Sequence, residues 1–159
     1  MSATGHGGSD LVTIVGAGPV GTLLALLLAR QGRRVRLIER RTDPRASEVE
    51  RGRSINLALA ARGLTALEQA GVLERVRPEL VEMRGRQLHD LQGRGPLLPY
   101  GQRPEEVIHA VSRTRLNTTL IEAAAEVPLI EMHFSRRGID VDADSGCVNW
   151  RDAAGWWAE

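Results

Sequence analysis

The stretch Leu11-Val-Thr-Ile-Val-Gly-Ala-Gly-Pro-Val-Gly21 decides how this 159-residue chain is read. Leu11–Val15 is a short apolar run rich in β-branched residues, the mark of a buried parallel strand. Val20–Arg30 is rich in leucine and alanine, the mark of a helix. Gly16, Gly18 and Gly21 stand where one passes into the other. In such a turn the first glycine permits the tight bend and the second lets the backbone approach a pyrophosphate. The third lets the helix pack closely on the strand. The helix N-terminus then points N–H groups and a positive dipole end at the phosphates.

The next segment, Arg34-Val-Arg-Leu-Ile-Glu39, has the pattern of a second strand and ends on a carboxylate 18 residues after Gly21. An acid there can accept hydrogen bonds from a ribose diol. Strand, glycine turn, helix, strand and acid in this order predict a dinucleotide-binding unit. A glycine-rich turn in some other α/β protein would explain the glycines but not Glu39. The motif leaves FAD and NAD both open, because they use the same turn.

Leu11–Ala29 is 19 residues without a charge, about the length of a bilayer span. Gly16, Gly18, Pro19 and Gly21 interrupt it, and no Lys or Arg precedes Arg30, so it fits neither a membrane helix nor a signal peptide. The formal net charge is +1, which gives no reason to expect nucleic acid as a partner. All 21 basic residues are arginine, as a GC-rich genome would produce. The single cysteine, Cys147, excludes an internal disulfide and fits a reducing, cytoplasmic setting. His6, His89, His109 and His133 are scattered without metal-ligand spacing, so no metal is expected.

Along the rest of the chain, Met1–Ser9 is Gly/Ser-rich and expected to be a disordered tail, with one domain over residues 10–159. Arg40–Arg53 is dense in charge and predicts an exposed loop. Arg62–Ala70 predicts a short amphipathic helix closed by Gly71, and Leu73–Val81 a helical patch broken at Pro78. Arg84–Leu91 alternates weakly, with a turn at Gln92-Gly93, and Val107–Val111 predicts a strand. Thr114–Glu126 predicts a helix burying Leu116, Leu120, Ile121 and Ala124. Ile130–Phe134 predicts a third parallel strand. Gly138–Val141 and Cys147–Trp150 predict two strands of a meander joined at Asp144-Ser-Gly146. The expected fold is therefore α/β: a Rossmann-like domain with a parallel sheet and the start of a β-meander.

Two further runs carry a family resemblance. Gly52-Arg-Ser-Ile-Asn-Leu-Ala-Leu59 is followed by Arg62-Gly63 and Ala66-Leu67. Val111-Ser-Arg113 is followed by Leu116-Asn117, with Pro99-Tyr100-Gly101 upstream and Met132-His-Phe134 downstream. From about Leu11 to Trp150 the chain resembles the kynurenine 3-monooxygenases, flavoproteins of the aromatic hydroxylase group. The resemblance implies FAD in the glycine turn and NADPH as reductant. It implies FAD contacts at Gly16, Gly18, Val20, Gly21, Ile38, Glu39, Arg40, Arg41, Ala58 and Arg113. It implies substrate contacts at Arg86 and Tyr100, and assigns no catalytic residue. A planar guanidinium can grip the α-carboxylate of L-kynurenine in a two-point fork, and a tyrosine hydroxyl can add one hydrogen bond.

The family continues well past Glu159, with further flavin and substrate contacts that this sequence does not contain. Trp156 and Trp157 stand at the end with no following chain to bury them. The expectation is an N-terminal part of such an enzyme, its substrate domain incomplete and inactive by itself. A non-catalytic nucleotide-binding remnant and a different aromatic hydroxylase of the same fold are the alternatives.

Overall fold

A computed structural model describes residues 11–46 and 55–158. The tail expected over Met1–Ser9, and Ser47–Arg53 of the charged loop, lie outside the described residues. The chain divides into two compact units, one of Met1–Glu50 with Leu120–Glu159, the other of Arg51–Thr119.

The first unit is built on a three-stranded parallel sheet in the order β1 (Leu11–Val15), β2 (Arg34–Ile38), β8 (Ile130–His133). Val12 pairs with Val35, and Val35 in turn with Ile130. The apolar strands predicted from sequence are thus neighbours in space. Helix α1 (Pro19–Arg30) is the crossover between β1 and β2. It buries Thr22, Ala25, Leu26 and Ala29, which recur at helical spacing. Its far end closes in a left-handed cap at Gly32 (φ +81°), where Gly32 N–H bonds Ala29 O at 2.9 Å and Arg33 N–H bonds Leu28 O at 3.1 Å. Leu37, Ile38, Leu120 and Ile121 are the largest side chains fully removed from solvent here.

The same unit carries an antiparallel meander, β9 (Arg137–Val141), β10 (Val148–Arg151) and β11 (Trp156–Ala158), with β10 central. The turn between β9 and β10 is held by Asp142, whose carboxylate accepts the N–H groups of Asp144 and Ser145. Trp150 is buried under the meander. The strand at Trp156–Ala158 was not foreseen, because two adjacent tryptophans carry no alternation.

The second unit contains the antiparallel sheet β3 (Asn56–Leu59), β7 (Ile108–Ser112), β4 (Val81–Met83), the hairpin β5 (Gly85–Gln87) with β6 (Leu97–Pro99), and the helices α2 (Ala61–Gln69) and α3 (Leu73–Val76). Gly71 (φ +74°) closes α2 as expected. The helical patch predicted over Leu73–Val81 stops earlier. A 3₁₀ turn runs over Arg77–Glu79 and Val81 belongs to β4. Pro78 lacks the N–H that an α-helix would need there, and β7 offers Val81 a strand partner in Ala110. Helix α4 (Arg113–Ala125) starts directly from β7, and Leu116, Leu120, Ile121 and Ala124 are its buried stripe.

Candidate dinucleotide-binding site

The candidate site of the first unit grows from the junction of β1 and α1. Gly16 adopts φ +108°, a conformation that residues with a Cβ rarely take. Its N–H bonds the carbonyl of Ile38 at 2.7 Å, so the turn is hung from the end of β2. A Cβ on Gly21 would collide with the Gly16 carbonyl oxygen and lie 3.4 Å from Ile14 Cγ2. The helix can approach the strand only because that atom is missing. A Cβ on Gly18, by contrast, would project into open space. That space is where a ligand backbone can come close.

Gly18 is also the N-cap of α1, and no side chain caps the helix. Pro19 follows at the first helical position, and the first amide bonded back is Thr22 N–H, to Gly18 O at 3.0 Å. The helix therefore begins with its positive end open, as a phosphate site requires. Val20, an apolar residue in that first turn, is 82% exposed. Contacts within the protein do not account for it.

Strand β2 ends at Ile38, one residue before the expected acid. Glu39 still extends the ladder, its N–H bonding His133 O at 2.8 Å. Its carboxylate turns to the glycine loop. Oε2 accepts the N–H of Ala17 at 2.8 Å and Oε1 the N–H of Arg41 at 2.9 Å. Each carboxylate oxygen can accept a second donor, so the group retains capacity for hydroxyls of a ligand.

A cavity of about 250 Å³ opens beside this carboxylate, lined by Val15, Gly16, Ile38, Glu39, Arg40, Arg136, Arg137 and Gly138. Of the residues expected to bind the cofactor, Gly16, Ile38, Glu39 and Arg40 line this cavity, Gly18, Val20 and Gly21 lie at the N-cap and first turn of α1, and Arg41 donates its N–H to Glu39. The structure adds Arg136–Gly138, which no sequence signal marked. Arg136 lies in the turn after β8 and Arg137 and Gly138 open β9, and only pairing of the strands reveals where that segment lies.

Arg136 is firmly held. Its guanidinium donates to His133 Nδ1 at 2.6 Å, lies 4.3 Å from the centre of the Trp150 ring, and has Nε 3.7 Å from Asp152 Oδ2. The other ring nitrogen, His133 Nε2, is 2.6 Å from Glu131 Oε1. Burial works to raise the Glu131 pKa, but the charges of His133 and Arg36 outweigh it and hold the carboxyl below its ordinary value.

In the second unit, Arg86 lies on β5 opposite Leu98 of β6. Tyr100 extends the same hairpin, its N–H bonding Arg84 O at 3.0 Å. Alternation puts Arg86, Leu98 and Tyr100 on one face, with Arg86 and Tyr100 diagonal neighbours. Both are exposed, as are Leu97 and Leu98. Ala58 sits on β3 opposite Ala110. Arg113 is the first residue of α4, and its N–H bonds Ile55 O at 3.0 Å. A cation at a helix N-terminus opposes the dipole, which favours an anion nearby.

The sequence profile of the family described as FAD binding domain matches residues 10–151. This chain belongs to the FAD-binding domain family. The residues present fit the cofactor of that family: an open uncapped helix start, a glycine that leaves space above it, and a carboxylate beside a cavity. The chain is 50% identical over 144 residues to the kynurenine 3-monooxygenase of Stenotrophomonas maltophilia (strain K279a). It is 45% identical over 145 residues to that of Myxococcus xanthus (strain DK1622). Each match covers 91% of this chain but only 31% of the relative. Among solved structures, p-nitrophenol 4-monooxygenase PnpA from Pseudomonas putida DLL-E4 superposes with a TM-score of 0.70 at 21% identity, covering 93% of this chain and 37% of that one. PqsL from Pseudomonas aeruginosa, a probable FAD-dependent monooxygenase, also gives 0.70, at 22% identity over 94% of this chain and 39% of its own. These two establish the shared fold. Among the described residues, no helix is long and apolar enough to cross a membrane, and no group of His, Cys, Asp or Glu is placed to hold a metal.

Proposed function

We propose that this chain, over residues 10–159, is the FAD-binding domain of a flavoprotein that hydroxylates L-kynurenine to 3-hydroxykynurenine with NADPH as reductant. The observation that carries the reading is the Glu39 carboxylate, held against Ala17 N–H beside a cavity lined by Gly16 of the glycine turn. Sequence identity of 45–50% to relatives named kynurenine 3-monooxygenase supports the substrate.

When bound, FAD supplies the redox chemistry by which oxygen is activated for transfer to an aromatic ring. The protein's residues bind and orient it. The N–H groups at the start of α1 meet the pyrophosphate over Gly16, Gly18, Val20 and Gly21, and Glu39 takes the ribose hydroxyls. Ile38, Arg40 and Arg41 flank the adenosine. The family resemblance assigns Ala58 and Arg113 to the same cofactor. Arg86 binds the substrate α-carboxylate through its two-point fork, and Tyr100 adds a hydrogen bond and a ring face. The single cysteine, Cys147, is a free thiol, which suits a cytoplasmic location.

Titration of this chain with FAD, followed by flavin fluorescence, tests the cofactor. Saturable binding that is lost in Gly18→Ala is the expected result, and absence of binding overturns the reading. The substrate is tested by joining this chain to the remaining portion of the Stenotrophomonas maltophilia relative. NADPH oxidation that depends on L-kynurenine is expected. NADPH oxidation without any ring hydroxylation overturns the assignment.

A further inference from the structure

Two adjacent arginines with opposite circumstances stand where the turn after β8 enters β9, Arg136 in the turn and Arg137 at the start of the strand. Arg136 is engaged on three sides, by His133, Asp152 and the Trp150 ring. Arg137 lines the cavity, is exposed, and has no ion pair or hydrogen-bond partner for its guanidinium among the described residues. Its cross-strand neighbour is Arg151, another cation, so the meander offers it no carboxylate.

The turn is fastened to the segment that carries Glu39. Ser135, at φ +58°, donates its N–H to Arg41 O at 2.8 Å, and Arg136 N–H bonds Glu39 O at 2.9 Å. One residue on, a Cβ at Gly138 would stand 2.8 Å from Val15 Cγ1. Strand β9 can therefore pass close to the end of β1 only because residue 138 has no side chain. Arg137 thereby joins Val15 and Ile38 among the residues that line the cavity.

We propose that Arg137 is the adenine-binding wall of this cavity, its guanidinium plane stacked on the purine of the bound dinucleotide. The inference rests on the dinucleotide reading above and deepens it. With the pyrophosphate at Gly16–Gly21 and the ribose on Glu39, the base leaves the ribose on the side away from the phosphates. The cavity extends there to Arg40, Arg136 and Arg137. A planar, weakly hydrated guanidinium stacks on aromatic faces, which an ammonium does less well. Arg136 is committed to holding the turn, and Arg137 is the one with its plane available.

The test is calorimetric titration of this chain and of Arg137→Ala and Arg137→Lys with FAD and, separately, with ADP. Arg137→Ala is expected to weaken FAD about tenfold and ADP by the same factor, since both carry the adenosine end. Arg137→Lys is expected to recover little of the loss, because it restores charge but not the plane. The unfolding midpoint should not move, as the side chain is exposed. Should Arg137→Ala lower it, Arg137→Met, which keeps the unbranched stem, takes its place in the titration. FAD affinity unchanged in the variant, or fully restored by lysine, overturns the stacking role. A loss confined to FAD and absent with ADP overturns it too. No FAD binding by the unsubstituted chain overturns the dinucleotide reading itself, and the wall with it.

Discussion

The carboxylate of Glu39 accepts the N–H of Ala17 at 2.8 Å, joining the end of β2 to the apex of the glycine turn. This bond makes Glu39 part of the turn's own structure. Its other oxygen is held by Arg41 N–H, so the side chain is fixed before any ligand arrives.

Glu39→Ala should therefore have two effects. Hydrogen bonds to a charged group are worth about 1.5–3 kcal/mol. FAD affinity should fall on the order of tenfold or more, and thermal stability should drop as well, because two N–H groups lose their acceptor. Flavin titration beside a thermal melt checks both. A change in neither would remove Glu39 from the site.

Gly18 and Gly21 should separate in a matched pair of alanine variants. Gly21→Ala forces a methyl group into the Gly16 carbonyl oxygen. It should destabilise the fold by about 1–3 kcal/mol, as overpacking does. Gly18 has φ −73° and open space about it, so Gly18→Ala should fold normally. It should nonetheless lose FAD, since the new methyl occupies the space the ligand needs. Denaturant unfolding and FAD titration on both variants give the comparison.

Acid should loosen the first unit through two carboxylates. Asp43 is held below its ordinary pKa of 3.8 by its hydrogen bond to Arg45, and Glu131 stays below 4.5 because His133 and Arg36 outweigh the cost of burial. A carboxyl whose folded pKa is depressed contributes stability that is present above its unfolded pKa and lost as pH falls through the folded one. The melting temperature should be flat with respect to these groups above about pH 5 and decline below about pH 4. Both pairs are partly exposed, so the decline should be modest. A double variant, Asp43→Asn with Glu131→Gln, should show a shallower acid limb in thermal melts.

Arg86 and Tyr100 share one face of a hairpin, and their roles should separate from that of the cofactor residues. In the chimera with the Stenotrophomonas maltophilia relative, Arg86→Lys keeps the charge but loses the two-point fork. KM for L-kynurenine should rise strongly, and further for Arg86→Ala. Flavin content should stay the same in both. Flavin lost together with activity would make Arg86 structural, and an unchanged KM would remove it from the substrate site.

The sequence alone determined the parallel core and its glycine turn. Leu11–Val15 is an apolar run, and Val35–Glu39 and Ile130–Phe134 place Val35, Leu37, Ile130, Met132 and Phe134 at alternate positions, so each strand is legible without its neighbours. The caps at Gly32 and Gly71 and the break at Pro78 are equally local, set by backbone freedom or a missing N–H. Glu39 could be predicted as an acid at a strand end, since its distance from the glycines is a matter of spacing. That its carboxylate would bind Ala17 could not, because that contact depends on how β2 sits beside the turn. Short strands such as β3 and β6 were unmarked, since a few residues of a strand acquire their pattern from partners far along the chain. Arg136 and Arg137 show the same limit most clearly. As neighbours in the sequence they are alike. Only tertiary packing pins one between His133, Asp152 and Trp150 and leaves the other on the cavity wall, because Gly138 lets β9 approach Val15 and hydrogen bonds to Glu39 and Arg41 fix the turn between them.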